Sequence, residues 1–318
     1  MDNLVQEVLQ GSARAMARLI TLVENQDPHT FELLSAIYPH TGRTHVVGMT
    51  GSQGTGKSTL TDQIATVFRQ RRQTLGIIAV DPSSPFSGGA LLGDRIRMQR
   101  SASDPGIFIR SMATRGHLGG LARATNDVIK IMDAFGKDWI VVETVGVGQD
   151  EVDIARSADT TILVLAPGLG DSIQSMKAGV MEIADLYVVN KADRAGADEL
   201  FREVSVRVEQ DSQIRCKDWQ PPVLKTVAVE NEGTVPLVDA VEGHRRFLQE
   251  SGTLKSVRRE KTKQETLTLL QEEIARVILK KILGNGRFES LVDDIVARKK
   301  DPYSSVQDIV QAILPESS

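Results

Sequence analysis

Short, almost uninterrupted apolar runs recur through the middle of the chain and alternate with stretches of helical periodicity. The runs lie near residues 45–50, 75–80, 106–109, 139–142, 161–165, 186–189 and 223–224. Strands that are covered on both faces read as continuous apolar runs, which is typical of parallel sheets with helices on both sides. The pattern predicts an α/β fold with a mostly parallel central sheet flanked by helices.

Both ends of the chain carry helical patterns instead. Apolar side chains recur at three-to-four spacing over residues 4–25, and a second short helix is predicted at about 29–38. Beyond about residue 250 the strands stop. A charged stretch at 255–265, predicted as an exposed linker or helix, precedes an apolar helical stripe from Leu267 to Ile282, and a last helix is predicted at about 303–314.

These patterns divide the chain into three expected regions. Residues 1–40 form an N-terminal helical extension, residues 41–250 form the α/β domain, and residues 251–318 form a C-terminal helical region. A chain of 318 residues is long enough for one large domain with such additions.

Composition narrows the classes of function. The formal net charge is −4 and the basic residues are spread along the chain, so we expect no nucleic-acid partner. The single cysteine, Cys216, excludes an intrachain disulfide, and no Cys–His metal pattern stands out. No window approaches the ~18 apolar residues of a membrane span, and no secretory apolar run follows Met1. We expect a cytoplasmic protein without a membrane partner.

A glycine-rich loop directly follows the first predicted strand. Its residues are Gly51, Ser52, Gln53, Gly54, Thr55, Gly56, Lys57 and Ser58, and a helix is predicted from Thr59 to about Arg72. This order fits the phosphate-binding pattern, in which backbone N–H groups and a helix N-terminus converge on phosphates. Lys57 should reach the β- and γ-phosphates, and the Ser58 hydroxyl should bind magnesium. The alternative is a glycine-rich turn that contains Lys-Ser by chance.

The segment Asn190-Lys191-Ala192-Asp193 follows a later strand, at the carboxyl end where ligands bind in such sheets. The Asp193 carboxylate can accept from both N1–H and the 2-amino group of guanine, a donor pair that adenine lacks. Asn190 can brace the loops, and the Lys191 stem can lie over the base. The alternative is a solvated turn. Together with the phosphate loop, this motif predicts binding of GTP or GDP with Mg²⁺.

Three carboxylates end strands or enter adjacent loops and are candidate metal ligands. Asp81 and Glu143 follow predicted strands, and Asp94 lies after a Ser-Gly-Gly turn. Magnesium prefers hard oxygen ligands and keeps several waters, so these carboxylates could contact the ion directly or through water. Gly146 could offer its N–H to the γ-phosphate. For each carboxylate the alternative is a helix cap or a solvated turn, and for Asp81, just before a proline, that alternative is serious.

Longer runs resemble one family, the MeaB/ArgK GTPases. The resemblance covers nearly the whole chain and includes residues 11–25, 79–84, 88–95, 119–122, 142–149 and 167–171, with Gln174 and Lys177. These GTPases are chaperones of adenosylcobalamin-dependent acyl-CoA mutases, chiefly methylmalonyl-CoA mutase. Such runs are far more specific than a phosphate loop alone.

The resemblance implies roles for individual residues. Ser58, Asp81, Asp94 and Glu143 would form the magnesium environment, and Lys57, Asp94 and Glu143 would be the catalytic residues. The segment after Pro167 would sense the nucleotide and contact the mutase. The C-terminal helical region would hold a homodimer.

Two positions depart from the family pattern. Gln53 stands where proline is usual, and Val227 stands in a guanine loop that usually reads Thr-Ser-Ala. That loop contacts the base through a backbone N–H, so we expect Val227, Ala228 and Val229 to lie at the guanine.

The leading hypothesis is a slow GTPase that gates cobalamin loading and protects an acyl-CoA mutase. One alternative is a metal-insertion GTPase, which the single cysteine and five scattered histidines disfavour. The other is a kinase of small molecules or proteins, for which the sequence shows no second substrate pocket.

Overall fold

The computed structural model describes residues 2–81, 98, 101, 103–113, 120–144, 157–168, 178–215, 218–283 and 287–313. The chain divides into two compact units, Met1–Lys255 and Ser256–Ser318, and each is described by itself.

The first unit is built on a parallel sheet of seven strands within the described residues. The strands are β1 (His45–Thr50), β2 (Leu75–Asp81), β3 (Ile107–Ala113), β4 (Trp139–Glu143), β5 (Thr160–Leu165), β6 (Leu186–Asn190) and β7 (Val223–Thr226). Their order is β3-β2-β4-β1-β5-β6-β7, and every pairing is parallel. The predicted α/β fold with its parallel sheet is confirmed, and each predicted apolar run is a strand.

Helices cover both faces of this sheet. They are α1 (Asp2–Leu9), α2 (Ala13–Glu24), α3 (Thr30–Ile37), α4 (Lys57–Gln70), α5 (Gly120–Phe135), α6 (Ala178–Ile183), α7 (Ala197–Arg215) and α8 (Thr234–Glu250). One apolar core lies between α1, α2, α3, α5 and the sheet face that carries Val46 and Ile140. The opposite face, with Val47 and Val141, packs against α4 and α8. This alternation along each strand sends neighbouring side chains to different layers.

The N-terminal extension differs from its prediction at one point. A single helix over 4–25 is wrong, because the chain turns between α1 and α2. Gly11 has a φ of 88°, and the Ser12 hydroxyl accepts a hydrogen bond from the Ala15 N–H at 3.3 Å and so caps α2. Both helices present apolar faces to the same core, so the apolar spacing continues across the break.

The second unit is helical. It contains most of α9 (Thr253–Leu283), then α10 (Arg287–Val296) and α11 (Pro302–Ile313). The charged stretch at 255–265 is part of α9, and the sequence pattern did not predict α10. Among the helices of the described residues, none has the length and apolar character needed to cross a membrane.

Candidate nucleotide-binding site

The candidate residues meet at the carboxyl edge of the sheet, around the central strand β1. The chain runs from β1 outward to β2 and β3, returns beside β1 as β4, and then crosses to the other side as β5. In doubly wound sheets the crevice at such a reversal binds the ligand. The phosphate loop follows β1, Glu143 ends β4, and Asn190 ends β6.

Two glycines of the phosphate loop occupy positions that no other residue fits. Gly51 has a φ of 139°, and a Cβ there would overlap the Val164 carbonyl oxygen. Gly56 has a φ of 93°, and a Cβ there would overlap the amide nitrogen of Asn190. Since an L side chain rarely adopts these dihedral angles, glycine is required both for the backbone and for the close approach.

The Lys57 side chain reaches back from the end of the phosphate loop to its first two residues. Its Nζ donates to the carbonyl oxygens of Gly51 at 2.6 Å and Ser52 at 3.1 Å, and only 5% of the residue is exposed. Between these anchors, Gln53 and Gly54 are exposed while Thr55 is buried. The ammonium group is therefore held at the inner side of the loop.

Ser58 and Glu143 form a contact that suits a divalent cation. The Ser58 hydroxyl donates to Glu143 Oε1 at 2.6 Å, and Glu143 is 5% exposed. A hydroxyl that gives its proton to a carboxylate keeps its lone pairs for a metal ion. Hard oxygen donors of this kind match magnesium, so the residues present fit the ion that the sequence predicts. Thr59, the next residue, is half-buried in the first turn of α4.

Asn190 joins the phosphate loop to the predicted guanine loop. Its Nδ2 donates to the Thr55 carbonyl oxygen at 2.8 Å. Its Oδ1 accepts from the Thr226 hydroxyl at 3.0 Å and from the Ala228 N–H at 3.1 Å. Asn190 is 2% exposed, so all three bonds are shielded from water. Sequence reasoning proposed the brace and missed Thr226 as one of its partners.

The other residues predicted to bind guanine differ in exposure. Lys191 has a φ of 58°, and its Nζ donates to the Gly54 carbonyl oxygen at 2.6 Å. Asp193 is exposed, as is Val229 at 76%, whereas Val227 and Ala228 are buried. The exposed carboxylate of Asp193 is accessible to a base that enters from solvent.

Lys225 connects β7 to the neighbouring helix α7. Its Nζ donates to Asp198 on α7, and this bond with the lysine charge lowers the pKa of the Asp198 carboxyl. The same ammonium group lies 4.7 Å from the centre of the Phe201 ring. These contacts join β7, which leads into the predicted guanine loop, to α7.

The other candidate residues for the metal and the phosphates remain predictions. Asp81 is the last residue of β2, two positions beyond Ala79, which is the register partner of Glu143. Asp94 and Gly146 lie outside the described residues, and so does the segment 169–177 after Pro167 and Gly168.

The parallel sheet, the glycine loop at its central strand and the Asn190 brace define the class of protein: a P-loop nucleotide-binding protein. Within that class, the family model described as "Methylmalonyl Co-A mutase-associated GTPase MeaB" matches residues 16–282. The chain belongs to the MeaB family, which includes ArgK.

Individual relatives agree with this assignment. The chain is 50% identical over 315 residues to "Putative GTPase PYRAB02490" of Pyrococcus abyssi, covering 99% of this chain and 97% of the relative. It is 34% identical over 294 residues to "GTPase ArgK" of Escherichia coli, covering 90% and 87%. The crystal structure described as "LAO/AO transport system kinase" is 27% identical, has a TM-score of 0.71 and covers 98% and 97% of the two chains. The family and the fold show that this protein is a GTPase.

Proposed function

We propose that this GTPase hydrolyses GTP slowly and serves an adenosylcobalamin-dependent acyl-CoA mutase, methylmalonyl-CoA mutase or a close relative. In this role it gates cobalamin loading and protects the mutase from inactivation. The observation that carries the proposal is the match of a mutase-associated GTPase family over residues 16–282. The geometry of the nucleotide site supports the GTPase half of the proposal.

The chemistry follows from the donor set. Phosphoryl transfer depends mainly on positioning and on stabilising charge at the phosphate oxygens. Lys57 supplies an ammonium group at the inner side of the loop, and the helix α4 begins at the same residue, which adds its positive end. Bound magnesium would neutralise charge on the β- and γ-phosphates. Ser58 would hold it, Glu143 would orient the Ser58 hydroxyl, and Asp81 and Asp94 remain proposed ligands.

The partner is tested with the purified full-length chain. Phosphate release from GTP is measured with this protein alone, then with an adenosylcobalamin-dependent methylmalonyl-CoA mutase added, and then with an acyl-CoA enzyme that uses no cobalamin. We expect slow release that rises only with the mutase. A fast rate that the mutase leaves unchanged would refute the chaperone role while leaving the GTPase assignment intact.

We also propose that the C-terminal region, residues 251–318, forms a homodimer. Four apolar residues of α9 are between 44% and 53% exposed: Leu267, Leu270, Ile274 and Val277. Their three-four-three spacing is that of a coiled-coil seam, which a second copy of the same helix can cover. Light scattering after gel filtration should show a dimer that Leu270→Glu dissociates. Leu279→Glu is the control, because Leu279 is 46% exposed and lies outside this spacing.

A kinase is the second candidate, because the similar crystal structure with a TM-score of 0.71 is described as a "LAO/AO transport system kinase". Transfer of labelled γ-phosphate to an acceptor, instead of its release as free phosphate, would establish it. The metal-insertion alternative has less support, because the described residues contain no group of three or more His, Cys, Asp or Glu side chains that could hold a metal ion.

A further inference from the structure

Thr61 lies one turn after Ser58 on α4 and is fully buried. Its Oγ1 is 3.4 Å from Glu143 Oε2 and 3.2 Å from Met49 Sδ. Residues three apart on a helix share a face, so Ser58 and Thr61 both face the end of β4. Met49 and Glu143 are register partners on adjacent strands, and their side chains lie on the same sheet face, the one that α4 covers.

The Thr61 hydroxyl has one proton to donate and two nearby acceptors. A carboxylate oxygen is a much stronger acceptor than a thioether sulfur, because the hydrogen bond is charge-assisted. Both acceptors are within reach of the hydroxyl, at 3.2 Å for Met49 Sδ and 3.4 Å for Glu143 Oε2, and the carboxylate is the acceptor that gains more from the proton. Each carboxylate oxygen of Glu143 then has its own hydroxyl partner, Ser58 on Oε1 and Thr61 on Oε2.

Partners at both oxygens restrict the plane of a carboxylate more than a partner at one oxygen does. The terminal torsion of glutamate has a broad energy minimum, so the side chain itself does not select an orientation. The orientation matters here because Glu143 takes the Ser58 proton and so leaves the Ser58 lone pairs for a metal ion.

We propose that Thr61 is a positioning residue for the magnesium site. It holds Glu143 in the plane that orients the Ser58 hydroxyl, and it touches neither the nucleotide nor the ion. The inference rests on the proposed function, because it requires magnesium at Ser58. It adds to that function a residue that acts on the metal site through Glu143.

The test compares three variants of the full chain with the wild-type protein. Thr61→Val removes the hydroxyl at constant shape, and Thr61→Ser restores it. Thr66→Val is the matched control on the same helix, since the Thr66 hydroxyl donates to the Asp62 carbonyl oxygen of its own helix at 3.0 Å. Two quantities are measured: the Mg²⁺ concentration that gives half-maximal GTP hydrolysis, and the affinity for fluorescent GDP in EDTA.

We expect Thr61→Val to raise the half-maximal Mg²⁺ concentration about five- to tenfold, the effect of one lost hydrogen bond. For Thr61→Ser and Thr66→Val, the half-maximal Mg²⁺ concentration should stay within about twofold of the wild-type value. GDP affinity in EDTA should be the same in all four proteins. This combination supports a positioning role, because a loss of packing would weaken GDP binding with or without magnesium.

Two results would overturn the inference while the proposed function stands. One is a wild-type protein that needs magnesium and a Thr61→Val variant with the same Mg²⁺ midpoint. The other is an equal loss of GDP affinity in EDTA, which identifies Thr61 as a packing residue. A wild-type protein whose hydrolysis needs no magnesium would instead refute the proposed metal site, and the role of Thr61 with it.

Discussion

Replacing Asn190 by alanine tests whether the two nucleotide loops form one unit. The amide of Asn190 makes three buried hydrogen bonds, to the Thr55 carbonyl, the Thr226 hydroxyl and the Ala228 N–H. Asn190→Ala removes all three at once. It leaves two donors and one acceptor of other residues without that partner, in a region where Asn190 itself is 2% exposed.

The expected loss of stability follows from the number of bonds. A typical intramolecular hydrogen bond contributes about 1 kcal/mol, so Asn190→Ala should lower the free energy of unfolding by about 3 kcal/mol. Thr226→Val removes one of the same bonds and should cost about 1 kcal/mol. Asn190→Ala should also weaken GDP binding. Thr55 belongs to the phosphate loop, so the substitution affects that loop as well as the predicted guanine loop.

The assay is urea denaturation of the nucleotide-free protein, followed by a fluorescence titration with GDP. Thr226→Val serves as the partial variant, and the ratio of the two stability losses is the critical quantity. Equal losses in the two variants, or an Asn190→Ala protein as stable as the wild type, would refute the bracing role. A drop in GDP affinity alone would show that Asn190 contacts only the ligand.

Three further predictions concern single positions. Asp193→Asn should lower GTP affinity about ten- to hundredfold in a binding assay with ATP as competitor. The melting temperature should not change, because Asp193 is exposed. Gly56→Ala should destabilise the protein more than Gly11→Ala in a thermal melt. Both glycines have a φ near 90°, but only a Cβ at Gly56 meets another residue within 4 Å. Thr50→Val should raise the free energy of unfolding by about 1 kcal/mol, since the buried Thr50 hydroxyl has no hydrogen-bond partner in the described part of the chain. A lower free energy of unfolding in urea denaturation would contradict this.

The sheet was predictable because parallel strands leave a direct trace in the sequence. Each of the seven strands contains an apolar run, and four of them, β1, β4, β5 and β6, are buried at every position. The phosphate loop was predictable for a similar reason, since its glycines and Lys57 are adjacent in the chain.

Contacts between distant residues left no such trace. Thr61 is 82 residues from Glu143, and Asn190 is 135 residues from Thr55. A threonine on an amphipathic helix reads as an ordinary polar position, because the pattern does not record that its hydroxyl meets a carboxylate from another strand. The break at Gly11 was missed for a different reason, since the helices on either side of it face the same core.

Contacts within the protein itself hold the phosphate loop in place from several directions. Gly51 lies against the carbonyl of Val164, Lys57 binds two loop carbonyls, and Asn190 and Lys191 bind the carbonyls of Thr55 and Gly54. A loop that is already ordered loses little conformational entropy on binding, so more of the contact energy appears as affinity. Changes within this loop should therefore weaken GDP and GTP alike. Discrimination between the two nucleotides must come from groups that meet the third phosphate and the metal. We propose Lys57, Ser58 and Glu143 for those contacts, with Thr61 acting on them only through Glu143.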